Sequence, residues 1–178
     1  MVSLIDQRIG DVLANLDRLD QLDDTWIIYS ADHGEMLGEH RLWAKMNFYR
    51  GSVQIPLLIV PPGGVPGRIE SALVEGVDIT ASLVDIGNGM PLAGSGGQSL
   101  VAATTGPIDG RSAVHSRIWN YAAVRTADHR FTLDLDNQTP CELFDLENDP
   151  DELENRVMDQ AFSELIDDLR GLVLAHHR

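Results

Sequence analysis

The sequence predicts an α/β protein in two parts: a layered helix-and-sheet region at residues 1–106, then a small antiparallel sheet with a terminal helix at residues 107–178. Two observations predict this. In the first region, apolar residues spaced three or four apart lead into a short run of β-branched and aromatic residues, as a helix that feeds a sheet strand would. In the second region, several short strand-like runs follow one another at the spacing of an antiparallel meander.

The first region opens with a predicted helix. Apolar residues recur with helical period over residues 2–19, and the other face of this segment is polar. Residues 25–30, Thr-Trp-Ile-Ile-Tyr-Ser, have the composition of a buried strand, and a second apolar run lies at residues 55–60. A further short amphipathic helix is predicted at residues 77–86. A helix that leads into such strands is typical of an α/β layered sheet.

The second region is predicted to hold four short strands, at residues 112–118, 121–126, 131–135 and 142–146. Asp128-His129 is interpreted as a turn in preference to a second metal site. Asn148-Asp149-Pro150 is a turn-forming segment that interrupts regular secondary structure, and an acidic helix is predicted to begin after it at Asp151-Glu152. The acidic residues from Glu142 onward are interpreted mainly as a solvated face and as helix caps. The last helix takes its apolar stripe from residues 165–173.

Charge and composition narrow the classes of partner. The formal charge is −15, from 28 acidic and 13 basic residues, so most of the surface repels phosphate backbones and anionic lipid. Nucleic acid and membrane surfaces are therefore not expected as partners.

The single cysteine, Cys141, allows no intrachain disulfide. The sequence has neither a secretory signal nor a membrane-spanning apolar run, so a cytoplasmic and a periplasmic parent both stay open. The oligomeric state is not predicted.

Candidate metal ligands follow directly after the first predicted strand. Asp32 and His33 stand at its carboxyl end, where open α/β sheets bind ligands, and a turn at Gly34 lets both side chains converge. A carboxylate oxygen and an imidazole nitrogen are ordinary ligands of divalent ions. Lys45, later in the same loop, can reach an anionic ester oxygen. Taken singly, each is ambiguous: such an Asp-His pair is more often a turn, and residues such as Lys45 and His40 are more often solvated.

A combination of short motifs removes much of that ambiguity. It comprises Asp32-His33-Gly34, Gly38-Glu39-His40, Lys45, Tyr49 and Ile55-Pro56-Leu57. Together these motifs closely resemble the second conserved block of sulfatases in the alkaline phosphatase superfamily. The likeness continues outward, because residues 77–86 resemble the family's VDLAPTLLDLAG helix and residues 142–152 resemble its lyDLenDPxE region. The resemblance covers nearly the whole chain.

What the resemblance implies is a sulfatase-like α/β/α core with Asp32 and His33 as two ligands of one divalent ion, usually calcium, with manganese or magnesium as alternatives. Lys45 would be the catalytic and substrate-binding residue that contacts the sulfate or the leaving-group oxygen, and His40 is a further substrate-binding candidate. The implied substrate is a small-molecule sulfate ester or a related anionic ester. The Asp-His form, rather than Asp-Asn, resembles sulfatase branches close to phosphonate monoester hydrolases, so phosphonate or phosphodiester hydrolysis is the alternative.

The chain also departs from the family pattern. The family nucleophile is a formylglycine made within Cys/Ser-x-Pro/Ala-x-Arg, and neither this motif nor the family's two upstream metal-binding aspartates occurs here. The surroundings of Cys141 do not match the motif, so Cys141 is interpreted as a small structural residue. Arg50-Gly51 stand where the family usually has Glu, which leaves open how Lys45 is oriented. Two or three strands also cannot close a doubly wound parallel sheet. We therefore expect a C-terminal fragment of a sulfatase that is inactive alone, with a non-catalytic relic that binds a metal or a partner as the remaining hypothesis.

Overall fold

The computed structural model describes residues 2–177. Its helices and strands are α1 (Val2–Arg18), β1 (Ile27–Ser30), α2 (Arg50–Val53), β2 (Leu57–Val60), α3 (Gly76–Ile86), β3 (Val114–Ile118), β4 (Tyr121–Arg125), β5 (His129–Asp134), β6 (Thr139–Asp145) and α4 (Ser163–His176). Short 3₁₀ helices lie at Leu22–Asp24, Glu39–Arg41, Val101–Thr104 and Gln160–Phe162. Among the residues described, no helix has the length and apolar character needed to span a bilayer. The predicted α/β class is confirmed.

The first sheet differs from the parallel arrangement that a doubly wound core would have. β1 and β2 pair antiparallel, with Ile27 opposite Val60 and Ser30 opposite Leu57. β1 is also less buried than predicted, because its residues are only half-buried or exposed among the residues described. Apolar side chains of α1 and β1 line an open cleft between them, and α1 has no buried residue. The apolar face of α1 therefore forms a surface that no other described residues cover.

The second sheet is the predicted meander. Its strands are ordered β3-β4-β5-β6 and each pair is antiparallel. α4 packs on β4 and β5, and the buried core between them consists of Ala122, Val124, Phe131, Leu133, Leu143, Leu169 and Val173. The predicted turn falls at Ala127-Asp128, and His129 already begins β5. This part of the chain thus builds a closed hydrophobic core of its own.

The acidic helix predicted to begin at Asp151-Glu152 is wrong. Residues 151–159 form turns and irregular chain, and the next α-helix begins only at Ser163. Glu152 has a φ of +56° and is 2% exposed, so it is neither helical nor solvated. The segment lies along β6, where Leu143 donates its N–H to the Asn155 side chain (3.0 Å) and accepts the N–H of Arg156 (2.7 Å). These long-range bonds and the burial of Glu152 outweigh the local preference of an acidic segment for a helix start.

Candidate metal and anion site

The loop that carries Asp32 and His33 is held against α2 by a close backbone approach. The Gly34 N–H donates to the Ser52 carbonyl at 2.8 Å. A Cβ added at Gly34 would come within 2.1 Å of the Gly51 carbonyl oxygen, which no real side chain tolerates. Gly34 is therefore needed for the two segments to approach, and this contact fixes where the chain goes after β1.

Between Met36 and Lys45 the chain folds back on itself in a strained loop. Met36 is fully buried and donates its N–H to the Ala44 carbonyl at 3.0 Å. The non-glycine residues with positive φ in this loop are Leu37, His40, Arg41 and Ala44. Each left-handed residue costs on the order of 1–2 kcal/mol, and such strain gathers where a loop must hold a functional group in place. The loop delivers Lys45, whose carbonyl accepts the hydroxyl of buried Ser52 at 2.5 Å.

The structure brings the three principal predicted residues together at the carboxyl end of β1. Asp32 Oδ2 lies 3.2 Å from His33 Nε2, and the Lys45 ammonium contacts the same Nε2 atom. On the other side of the ring, His33 Nδ1 lies 2.8 Å from the Gly34 carbonyl. Because a carbonyl oxygen only accepts, this contact assigns the proton to Nδ1 and leaves the Nε2 lone pair free for a cation.

Asp32 and His33 together fit part of the coordination shell of a divalent ion. It offers one carboxylate and one imidazole lone pair, and an Nδ1–H bonded to a carbonyl is the arrangement that orients histidines toward metals. The Asp32 side chain is 86% exposed and that of His33 36%, so further ligands can approach from outside. The Lys45 ammonium contacts the same Nε2 atom that would ligate an ion, so Lys45 would have to move off Nε2 for His33 to hold one.

His40 is placed differently from this trio. Its ring stacks on Tyr49, with centroids 4.0 Å apart and planes 17° from parallel. Within residues 2–177, no hydrogen bond joins His40 to Asp32, His33 or Lys45. The contacts that His40 makes are therefore those of an aromatic pair at the base of the loop.

A buried ion pair between Arg130 of β5 and Glu152 anchors the backbone at the start of α2, next to this site. Arg130 and Glu152 have side chains only 2% exposed, and Arg130 Nε donates to Glu152 Oε1 at 2.5 Å. The other carboxylate oxygen accepts the backbone N–H of Arg50 at 2.7 Å, at the start of α2. The Arg130 guanidinium also lies 4.9 Å from the centre of the Tyr49 ring. This role of Glu152 is not visible in the sequence, because nothing in an acidic run distinguishes the one member that becomes buried.

Two further expectations concern Arg50 and Cys141. The Arg50 guanidinium faces Asp151 at 3.4 Å, while the Lys45 backbone is held by Ser52, so these contacts give Arg50 no part in orienting Lys45. Cys141 is half-buried and lies in β6, and its Sγ donates to the Thr139 carbonyl at 3.4 Å. Burial raises the pKa of the Cys141 thiol, which disfavours the nucleophilic thiolate. These features agree with the structural role predicted for Cys141.

Comparison with known proteins identifies the family. The sulfatase family model matches residues 1–90, a span that contains Asp32, His33 and Lys45. The chain belongs to the sulfatase family. A similar curated relative is the choline-sulfatase of Rhizobium meliloti (strain 1021), 37% identical over 164 residues that make up 86% of this chain and 31% of the relative.

Other relatives link this sulfatase-family chain to the wider superfamily. The multifunctional alkaline phosphatase superfamily protein PehA of Trinickia caryophylli is 31% identical over 192 residues, covering 94% of this chain and 37% of PehA. The solved phosphonate monoester hydrolase SpPMH of Silicibacter pomeroyi superposes with a TM-score of 0.87 at 29% identity, covering 97% of this chain and 38% of that one. The chain thus spans about a third of the length of the curated relatives it matches. Recognition of the family and of its fold is confirmed, and the division at residue 106 stays a prediction.

Proposed function

We propose that this chain supplies part of the metal- and anion-binding site of a sulfate ester hydrolase. In this proposal Asp32 and His33 are ligands of a divalent ion, and Lys45 contacts the ester. The observation that carries the proposal is the meeting of the Asp32 carboxylate, the His33 Nε2 lone pair and the Lys45 ammonium after β1. Membership of the sulfatase family supports it.

Each residue has a defined task in that reaction. A bound divalent ion polarises the ester and stabilises charge that develops on its oxygens. Lys45 donates to a sulfate oxygen or to the leaving-group oxygen, where an ammonium lowers the cost of negative charge. The Gly34 carbonyl, which accepts from His33 Nδ1, would leave Nε2 available to hold the ion. In a chain of formal charge −15, an anionic ester needs such a local cationic pair to approach.

Calcium is the proposed ion, with manganese or magnesium as alternatives. Asp32 supplies the hard oxygen ligand that all three prefer. The imidazole of His33 is a softer ligand, and among the three it suits manganese best. The identity of the ion is therefore part of the test below.

We further propose that the 178-residue chain has no turnover by itself, because the family's nucleophile motif does not occur in it. The check is an assay of the purified chain with an aryl sulfate and excess calcium or manganese. Hydrolysis that the Asp32→Ala variant abolishes would overturn this part of the proposal, whereas hydrolysis that survives Asp32→Ala would point to a contaminant.

A second chemistry is favoured by the likeness to SpPMH, a phosphonate monoester hydrolase at 29% identity. The same ion and Lys45 can serve a phosphonate or phosphodiester, because both substrates present anionic oxygens to the site. A protein restored to the length of the relatives, given matched aryl sulfate, phosphonate monoester and phosphodiester substrates, separates the two. A higher kcat/KM for sulfate supports the first proposal, and a higher value for phosphonate the second.

Binding by the chain itself can be measured by NMR with Mn²⁺ as the probe, because the paramagnetic ion broadens amide signals close to it even when binding is weak. We expect broadening centred on residues 31–34 and on Lys45. Asp32→Ala and His33→Ala should remove it, and competition with calcium should reverse it. Asp128→Ala, in the exposed turn before β5, is the matched control and should leave it unchanged. Broadening that survives Asp32→Ala, or that centres elsewhere, would contradict the metal assignment.

The role of Lys45 needs a separate titration with inorganic sulfate. Sulfate added with a saturating ion should shift the amide signals around Lys45, and Lys45→Met should weaken this response while leaving the Mn²⁺ broadening in place. Equal sulfate affinity of the variant and the unchanged protein would contradict the anion-binding role of Lys45. It would not bear on Asp32 and His33 as metal ligands.

A further inference from the structure

Three histidines, none of them a residue of the proposed sulfate site, meet at the end of α4. His115 lies in β3, His176 ends α4 and His177 follows it. One ring nitrogen from each lies within 4.8 Å of the other two. His115 and His176 stack with centroids 3.9 Å apart, and the ring of His177 stands nearly perpendicular to both. The fold brings these rings together, since β3 and the end of α4 are far apart in sequence.

Two of the imidazoles have buried nitrogen atoms without partners. Neither His115 Nδ1 nor His177 Nε2 has a hydrogen bond from any described residue, and both atoms are shielded from solvent. An unsatisfied buried polar atom destabilises the folded state by about 1–3 kcal/mol. A ligand that binds these two nitrogen atoms would remove that cost. Burial, and after it the neighbouring His176, lowers the pKa of His115 to about 4.

The surroundings favour a cation. The rings gather at the C-terminus of α4, where the helix dipole places partial negative charge. Glu75, the N-cap of α3, accepts the backbone N–H of His115 at 2.7 Å. It also faces Arg111 at 3.6 Å, so its carboxylate is partly neutralised. A cluster of three imidazoles beside a carboxylate and a helix C-terminus is thus a favourable place for a positive ion.

We propose that His115, His176 and His177 form a second metal site that takes a borderline divalent transition-metal ion, with zinc as the reference ion. Imidazole nitrogen is a preferred ligand of such ions, whereas calcium and magnesium prefer oxygen. Zn–N bonds of about 2.0–2.1 Å in tetrahedral geometry place ligand nitrogens roughly 3.3 Å apart. The present nitrogens are within 4.8 Å, and rotation of exposed His176 out of its stack with His115 closes the difference. The ion would fasten the end of α4 to β3.

This site shares no residue with the proposed sulfate site. Its ligands come from the second sheet and its helix, and the fourth position is left for water. The structure therefore assigns it a structural role: by mass action, zinc should stabilise the folded state in which the three rings are gathered. Failure of the sulfate proposal would leave this one unaffected.

The test is zinc titration of the whole chain in the His33→Ala background, which removes the only histidine of the other candidate site. Calorimetry should show one zinc ion per chain, and Co²⁺ used as a spectroscopic probe should give the visible absorption of a nitrogen-ligated, low-coordinate ion. His176→Ala should weaken zinc binding by roughly tenfold or more, since loss of an outer-shell partner alone costs 10–100-fold. Because His176 is exposed, this variant should fold normally.

The matched control is His129→Ala, in the neighbouring part of the same sheet, which should keep wild-type affinity and stoichiometry. Thermal unfolding with and without zinc gives a second measurement, in which zinc should raise the Tm of the His33→Ala and control proteins but not of the His176→Ala protein. Equal zinc affinity with and without His176, or a Co²⁺ spectrum that His115→Ala leaves unchanged, would overturn the proposal.

Discussion

Replacing Glu152 by Gln tests the link between the second sheet and the candidate site. The Glu152 carboxylate accepts Arg130 Nε with one oxygen and the Arg50 N–H with the other. Gln keeps the size and one acceptor oxygen but removes the charge, so at most one of the two bonds survives with its geometry intact. Among the described residues, Glu142, whose side chain is 26% exposed, would then be the one remaining ionic partner of buried Arg130.

The magnitude follows from this geometry. Removing one partner of a buried ion pair typically costs about 3–5 kcal/mol, because the other charge is left without its partner in a poorly solvated place. The contact with Glu142 compensates in part, so we expect Glu152→Gln to lower the free energy of unfolding by about 3 kcal/mol. The matched control is Glu154→Gln two residues on, whose exposed pair with Arg156 should change stability by less than about 0.5 kcal/mol.

The assay is urea unfolding followed by far-UV circular dichroism and tryptophan fluorescence. The Mn²⁺ broadening experiment on the same variant reports on the loop. Because Glu152 holds the backbone at Arg50, the start of α2 should shift, and the Mn²⁺ response at Asp32 and His33 should weaken even under conditions where the variant is fully folded. A loss of less than 1 kcal/mol, or equal losses for Glu152→Gln and Glu154→Gln, would refute the reasoning.

The other predictions concern a backbone contact and a second buried carboxylate. Gly34→Ala, whose Cβ would meet the Gly51 carbonyl oxygen, should destabilise by about 1–3 kcal/mol and abolish Mn²⁺ binding, whereas Gly10→Ala, in open space on α1, should stabilise by about 0.5–1 kcal/mol in the same urea assay. Burial raises the pKa of Asp78, but hydrogen bonds from Arg111 and from two backbone N–H groups outweigh it and hold the pKa below its usual value. That stabilisation is complete above the unfolded-state pKa of about 3.9 and is lost as the pH falls below it. Asp78→Asn should therefore cost about 3 kcal/mol at pH 7 and progressively less below pH 4, and a cost that does not change with pH would contradict this.

Local elements were predictable because their signals are local. The helix periodicity that predicts α1 and α3 and the short strand runs that predict the meander depend on neighbours within one or two turns of chain, and the structure confirms them. The antiparallel pairing of β1 with β2 and the irregular path through Glu152 were not predictable in this way. Each is decided by partners distant in sequence, such as Arg130 for Glu152, so a local acidic pattern gave the wrong element.

The candidate site shows the same division. The sequence by itself determined the family and the candidate residues Asp32, His33 and Lys45, because a motif specifies which chemical groups are present and in what order. Only the tertiary structure decided that the Lys45 ammonium contacts His33 Nε2, that Nδ1 carries the proton, and that His40 stacks on Tyr49 instead. Only the tertiary structure, too, gathered His115, His176 and His177. Composition fixes which groups are present, but their distances and desolvation, which set their chemistry, arise when distant segments pack together.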